Sequence, residues 1–338
     1  LILTDCESDE IKDFKIALSE ELNIEFEIIS KICNGKRNFW KNIYRYIAYI
    51  FFPIKIFWNR KKYKYIIGWQ QFYALFYAFY AKLFHIKKEN IVVALNFTYK
   101  SKNGIIGMIY KRLMKFVLNN QYLDFIHVPS SNYAKEIAKQ FNIPREKFIV
   151  IPFGITDKYE IWKNSKCEYN NFTLSIGRSN RDYNFLIDVW KELPKDEKLV
   201  IICDEYKPRE KLSSNIILRK DVVGDSQFPY IINAKLIIIP IKEKNICSGD
   251  TVLLESMSFS KPIAVTITNK LGEMYLHEGK NGIGIPKEKE KAQKILMSLL
   301  KNKEKLEELS VNSRNCFEKN YSRYSMGKNL GNEIKKRS

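Results

Sequence analysis

Ser248-Gly249-Asp250-Thr251-Val252-Leu253-Leu254-Glu255-Ser256-Met257 runs just ahead of Lys261-Pro262-Ile263-Ala264-Val265, and the apolar segment Leu236-Ile237-Ile238-Ile239-Pro240 comes shortly before it. This order reads as a strand, a loop, a glycine-led helix and a second strand. The first amides of a helix have no intrahelical partner, and the helix dipole favours an anion beside them, so such an N-terminus at a strand end suits a phosphate. Glu255 lies roughly 9 Å along the helix from Gly249 at the usual rise per residue. Its spacing from Ser248 puts both on one face. A carboxylate about one nucleotide's length from a diphosphate accepts hydrogen bonds from ribose hydroxyls. The stretch therefore reads as a sugar-nucleotide pocket.

A second loop complements the first. An apolar strand over 172–176 leads into Gly177-Arg178-Ser179-Asn180-Arg181-Asp182-Tyr183. Two Arg residues here stand at the carboxyl end of a strand, where α/β proteins bind ligands. The guanidinium keeps its charge and its fork matches phosphate oxygens. Departure of a nucleoside diphosphate leaves negative charge on the β-phosphate, and fixed cations aimed there lower the barrier without strict need of a metal. The competing structural reading is that Arg178 and Arg181 form surface ion pairs with Asp182 or Asp188, and that Glu255 pairs with Lys261.

Working outward, strands are expected at 2–4, 23–29, 91–95, 125–129 and 147–152, with helices at 105–118 and 132–141. The second half repeats the alternation: strands at 172–176, 199–203 and 215–218, and helices at 184–193 and 228–233. Residues 157–171 are polar and weakly periodic, as a linker is. Such alternation implies parallel sheets covered by helices on both faces, made twice, with the ligand site in a cleft. The expected domains are residues 1–156, then a linker over 157–171, then 172–320. Residues 321–338 form a C-terminal helix that packs back on the first domain.

The chain has 338 residues, 45% of them hydrophobic, enough to build two cores. Its 57 Lys and Arg against 38 Asp and Glu give a net charge of +19, which favours anionic partners or follows from a base-biased genome. No zinc finger, RNA-recognition motif or similar module accompanies the charge, so nucleic acid is not an expected partner. Cys6, Cys33, Cys167, Cys203, Cys247 and Cys316 are scattered without metal-site spacing, which suits reduced thiols in the cytoplasm, and three distant His argue against a His-rich metal site. No metal and no bound cofactor is expected. His127, at the end of an apolar strand, reads as a core histidine. Asp204-Glu205 reads as a solvated loop.

The apolar segment 47–58 is too short to span a bilayer and contains Pro53; the run 65–84 carries Gln70, Gln71 and Lys82 and reads as a mostly buried helix. Aromatic and cationic residues over 36–64 suit an anionic bilayer surface, aromatic rings at the interface and Lys and Arg at acidic headgroups.

At these residues the chain resembles the retaining glycosyltransferases of family 4, which have the GT-B fold of two Rossmann-like domains facing across a cleft. Four phrases carry the resemblance, in the family's order. They are Ser131 to Pro152 with Ile155 after Phe153-Gly154; Gly177-Arg178 with Arg181; Ser248 to Met257 with Lys261-Pro262; and the trailing loops Gly272-Glu273 and Asn281-Gly282. The resemblance implies that Arg178 and Arg181 bind the donor diphosphate and stabilise the leaving group. Gly177, Ser248, Gly249, Asp250 and Thr251 would line the phosphates, Glu255 would bind ribose, and Val223 and Gly224 would lie near the nucleobase. It also implies a front-face displacement in which the departing phosphate helps deprotonate the acceptor. Three departures stand out. Cys247 occupies the place of the family's first Glu. Asn96 stands where many members carry a His, on the acceptor side. Asp5-Cys6-Glu7-Ser8 replaces a Gly-rich loop.

The expected activity is transfer from a nucleotide-sugar, a UDP-sugar by expectation, to a hydroxyl of a glycan or lipid-linked acceptor. The setting would be surface polysaccharide or glycolipid synthesis at the inner face of the cell membrane. An epimerase of the same fold and a basic nucleic-acid-binding protein are the alternatives.

Overall fold

The computed structural model describes residues 1–32, 39–243, 248–266 and 270–337. They form two compact units, Leu1–Thr156 with Arg323–Ser338, and Asp157–Ser322. Each unit holds a six-stranded sheet in which every pairing is parallel.

The first unit alternates β1 (Ile2–Thr4), α1 (Lys12–Leu22), β2 (Ile28–Ser30), α2 (Phe39–Trp58), β3 (Tyr65–Gly68), α3 (Gln71–Leu83), β4 (Ile91–Ala94), α4 (Gly104–Leu118), β5 (Phe125–Val128), α5 (Ser131–Phe141) and β6 (Phe148–Val150). The strand order is β2-β1-β3-β4-β5-β6, so the order reverses between β1 and β3. Strands β1, β3 and β5 are buried along their whole length, which is why they read as mostly apolar runs rather than alternations, with Thr4 and His127 buried among them.

The run 65–84 is not one helix. It divides into β3 and α3, because Gly68-Trp69-Gln70 turns the chain between them. A Cβ at Gly68 would sit 2.8 Å from the backbone nitrogen of Ala74. Gln70 then caps α3, its side-chain oxygen accepting from the Phe72 N–H at 3.4 Å. Both halves are apolar because both are covered, and apolarity alone does not distinguish a buried strand from a buried helix.

The second unit runs α6 (Tyr159–Trp162), β7 (Phe172–Ile176), α7 (Tyr183–Trp190), β8 (Lys198–Ile202), β9 (Ile216–Arg219), α8 (Phe228–Asn233), β10 (Leu236–Ile239), α9 (Asp250–Ser258), β11 (Ile263–Thr266), α10 (Lys270–Tyr275), β12 (Ile283–Ile285), α11 (Lys289–Lys301) and α12 (Lys303–Asn320). Its order, β12-β11-β10-β7-β8-β9, is the dinucleotide-fold arrangement, with the switch point between β7 and β10. Gly272 and Glu273, expected in a loop, lie within α10. A last helix, α13 (Arg323–Lys335), packs in the first unit, where Met326, Leu330 and Ile334 share a core with Phe14 and Leu18 of α1. The contact is close enough that a Cβ at Gly327 would come within 2.4 Å of the Phe14 carbonyl.

Candidate functional site

In the second unit, the loops after β7 and β10 flank the switch point, where a crevice opens in sheets of this kind. They are stitched together. The Asp182 N–H donates to Pro240 O at 2.7 Å, and the Lys242 N–H to Asn180 O at 3.0 Å. The Asn180 amide closes the seam, donating to Glu243 O at 3.0 Å and accepting from the Glu243 N–H at 2.8 Å. Asn180 adopts a left-handed conformation, φ 55°, which Asn tolerates better than most residues. The Asp182 side chain caps α7 by accepting from the Phe185 N–H.

This seam places Arg181 at the centre of the site. Its Nε donates to Ile176 O at 3.2 Å and its Nη1 to Ser179 O at 2.8 Å. Two glycines border the guanidinium: a Cβ at Gly177 would lie 2.6 Å from Nη2, and one at Gly249 would lie 2.9 Å from it. Both have left-handed backbones, φ 124° and 98°, so glycine is required for conformation, and a side chain at either position would have to displace the guanidinium. Burial lowers the Arg181 pKa from its ordinary value, opposed by Tyr183, Asp250 and Cys203.

Gly249 is the N-cap of α9, and the first intrahelical bond runs from the Leu253 N–H to Gly249 O at 2.9 Å. The amides of Asp250, Thr251 and Val252 precede that bond and stand at the positive end of the helix. The Ser248 hydroxyl reaches Ser179 O at 3.5 Å, so the two loops meet there too. Cys247 lies outside the described residues.

Glu255 sits farther along α9. Burial raises its carboxyl to about 7, with Lys158 lowering and Asp225 raising it by lesser amounts. Gln227 donates to its Oε2 at 3.5 Å, which brings the turn beginning at Val223 and Gly224 beside it. Val223 is 53% exposed, and Gly224 is left-handed, φ 60°. Lys261 does not pair with Glu255; its ammonium donates to Ala234 O at 3.1 Å.

Arg178 pairs with Asp204, Nε to Oδ1 2.7 Å, rather than with Asp182 or Asp188. Asp182 instead meets Lys287 at 3.1 Å, and Asp188 meets Lys191 at 2.9 Å. Gly177, Arg181, Ser248, Gly249 and Asp250 are thus gathered at one point, Glu255, Val223 and Gly224 form a second cluster along α9, and Arg178 stands on the rim. Asn180, Gln227 and Lys158 were not legible as site residues. Asn at a strand-end loop is a signal for left-handed backbone, but its partner 63 residues away is not visible in sequence.

The first unit has its own crevice at its switch point. A cavity of about 830 Å³ is lined by Asp5 after β1, Trp69 and Gln70 after β3, and Asn96 and Thr98 after β4. Its floor is a polar network: Gln70 Nε2 donates to Asp5 Oδ2 and to the Tyr49 hydroxyl, both at 3.1 Å, and Arg45 donates to that hydroxyl at 2.8 Å. Asn96 is left-handed, φ 53°, and its N–H donates to Nδ1 of His127 at 3.1 Å. Nε2 of His127 meets Ile151 O at 3.0 Å, which assigns the proton to Nε2. Burial depresses His127 to about 4, so it is a neutral, satisfied core residue. Among the described residues no group of three or more His, Cys, Asp or Glu is placed to hold a metal ion.

No family model matches the chain, and a search of curated proteins finds no significant match. Solved structures do match along its whole length. A glycosyltransferase from Rickettsia africae superposes with a TM-score of 0.63 at 14% identity, covering 100% of this chain and 99% of that one. The lipopolysaccharide outer core galactosyltransferase WaaB gives 0.62 at 12% identity, with 100% and 99% covered. HepE of Anabaena, solved in complex with UDP-glucose, gives 0.59 at 12% identity, with 100% and 99% covered. Two Rossmann-like units with parallel six-stranded sheets define the GT-B class of fold, and this chain has that fold.

Proposed function

We propose that this chain is a glycosyltransferase that moves a sugar from a nucleotide-sugar donor, a UDP-sugar in the first instance, to a hydroxyl of a glycan or lipid-linked acceptor. The observation that carries the reading is the Arg181 guanidinium wedged between Gly177 and Gly249 at the N-terminus of α9, with Glu255 farther along the same helix. That end offers a diphosphate a cation and unpaired amides, and Glu255 offers a ribose a hydrogen-bond acceptor. HepE with UDP-glucose supports the choice of nucleotide.

In this reading Arg181 and the amides of Asp250, Thr251 and Val252 hold the diphosphate and take up the charge that develops as the sugar leaves. Thr251 adds a hydroxyl. Arg178 joins them on exchanging Asp204 for phosphate. Glu255 accepts from the ribose, and Val223 and Gly224 flank the base. Fixed cations do the work of charge neutralisation, so no metal enters the scheme. Retention follows the front-face route, the departing phosphate accepting the proton of the attacking hydroxyl. The first unit's cavity, with Asn96 in its wall, receives the acceptor.

The reading extends to a cytoplasmic enzyme of surface polysaccharide or glycolipid synthesis, seated peripherally on the membrane. No helix among the described residues is long and apolar enough to cross one. Of the segment 36–64, residues 36–38 lie outside the described residues. In α2, however, Trp40, Tyr44, Ile47, Phe51 and Trp58 are all exposed, from 47% to 74%, and their spacing places them on one outward stripe. An apolar stripe facing solvent, flanked by Lys55, Lys61 and Lys62, suits the interface of an anionic bilayer.

Thermal stabilisation by UDP, GDP, ADP, CMP and dTDP, measured side by side, tests the donor site. Selective stabilisation by one nucleotide, lost in Arg181→Ala, is the expected result. No stabilisation by any of them sinks the reading, and donor turnover without acceptor points to an epimerase.

A further inference from the structure

The cavity of the first unit has a chemical polarity that the donor site does not explain. Its lining contains three cations, Arg45, Lys100 and Lys102, and one carboxylate, Asp5. That carboxylate is already engaged by Gln70 and Tyr49. Behind the cavity, Arg323 stacks on two of its lining rings, Trp69 at 4.5 Å and Phe153 at 5.0 Å. Nε and Nη1 of Arg323 are buried without a hydrogen-bond partner among the described residues. Positive charge therefore exceeds negative charge around the cavity, which favours an anion there.

Lys102 is held at the entrance by aromatic rings, its ammonium 5.0 Å from the centre of Tyr110 and 5.6 Å from that of Tyr46. Its backbone is fixed as well. A Cβ at Gly107 would lie 1.9 Å from the Lys102 carbonyl, so the loop can fold against α4 only because residue 107 has no side chain. Beside these cations and the polar side chains of Gln70, Gln71, Asn96 and Thr98, the lining has an apolar wall: Ile50 of α2, Phe72 and Phe76 of α3, and Leu113 and Met114 of α4. The apolar character continues on the outside of α4. Ile105 and Ile106 are each 72% exposed, and Ile109 is 59% exposed, with Lys111, Arg112 and Lys115 exposed on the same helix.

A glycan alone needs none of this apolar wall, and a fatty chain alone needs none of the cations. We propose that the cavity binds a phosphate ester of a long apolar chain, the lipid-linked form of the acceptor. Lys102, Lys100 and Arg45 hold the phosphate, the head group reaches the polar floor at Gln70 and Asp5, and the chain leaves between α2 and α4 toward the bilayer. This rests on the glycosyltransferase reading for its biological sense, but binding to the first unit needs no donor.

The test is calorimetric titration of the full chain with farnesyl phosphate below its micellar concentration, with farnesol and inorganic phosphate as separate arms. Farnesyl phosphate is expected to bind at least about tenfold more tightly than either, because the phosphate and the chain each supply part of the affinity. Lys102→Glu and Lys100→Glu, both at exposed positions, each weaken it about tenfold through charge reversal beside the phosphate while the melting temperature stays unchanged. Equal binding of farnesol overturns the phosphate assignment, and equal binding of inorganic phosphate overturns the chain. Unaltered affinity in both variants, or no binding at all, overturns the proposal. Stabilisation by UDP is read in a parallel experiment, so loss of the donor reading and loss of this one are seen separately.

Discussion

Arg181 and Glu255 show how burial sets the chemistry of two charged residues in opposite ways. Arg181 is bordered by two glycines, and a methyl at either would press on its guanidinium. In Gly249→Ala, a left-handed φ of 98° becomes strained and the new methyl collides with Nη2, so the guanidinium must move. Loss of about 1–3 kcal/mol of stability is expected, together with loss of nucleotide-induced stabilisation. A variant that melts lower yet is still stabilised by UDP as the parent is would exclude Arg181 from the phosphate site. Glu255 has a carboxyl raised from 4.5 to about 7. The folded chain then holds a proton that the unfolded chain has released, so stability falls as pH rises from about 4.5 to about 7, by ~3 kcal/mol at most. Glu255→Gln flattens that slope, as thermal melts across the range will show. Ribose hydroxyls prefer the ionised carboxylate, so UDP binding near pH 6.5 releases protons. Identical calorimetric enthalpies in phosphate and in Tris buffer would rule this out.

At the scale of elements, α9 and the loop after β7 were readable because each is a short, contiguous phrase whose glycines and arginines act locally. Most strands read for the same reason, being buried runs with polar ends, but the one expected over 23–29 forms only at Ile28–Ser30, half-buried at the sheet edge, and β12 over Ile283–Ile285 was not expected. The run over 65–84 did not resolve, since its break depends on one glycine pressed against Ala74 rather than on any change in polarity. Nor did the cavity of the first unit, whose lining comes from positions as distant as Asp5, Tyr49 and Asn96 and is assembled only by the parallel order of the strands. The outward stripe of α2 lies between these cases. Its residues recur at helical spacing, yet the sequence is apolar on both faces, and only the fold tells which face is covered. Tyr49, Ile56 and Phe57 are buried, whereas Trp40, Phe51 and Trp58 are not. Replacing Trp40 and Phe51 by Ser should therefore leave the melting temperature within about 1 °C, as surface substitutions usually do. Flotation with phosphatidylglycerol vesicles should drop severalfold. Unchanged flotation would move the membrane contact elsewhere.

For the whole molecule, a net charge of +19 admits two kinds of anionic partner, and their responses to salt differ. Binding through charge alone, as to nucleic acid, falls steeply and without limit as ions compete. Binding that combines basic residues with inserted aromatic side chains falls only until the electrostatic part is screened, since apolar burial persists in salt. If the chain sits on a bilayer as proposed, the stripe on α2 and the apolar tip of α4 predict the second behaviour. Raising sodium chloride from about 50 to about 500 mM should reduce attachment to phosphatidylglycerol vesicles to a plateau rather than to zero. In the Trp40→Ser, Phe51→Ser chain the charge is intact, so its low-salt attachment should survive in part while the plateau disappears. A parent chain released completely by salt, with the double variant behaving identically, would show that charge alone holds it to the membrane and that these rings have another use.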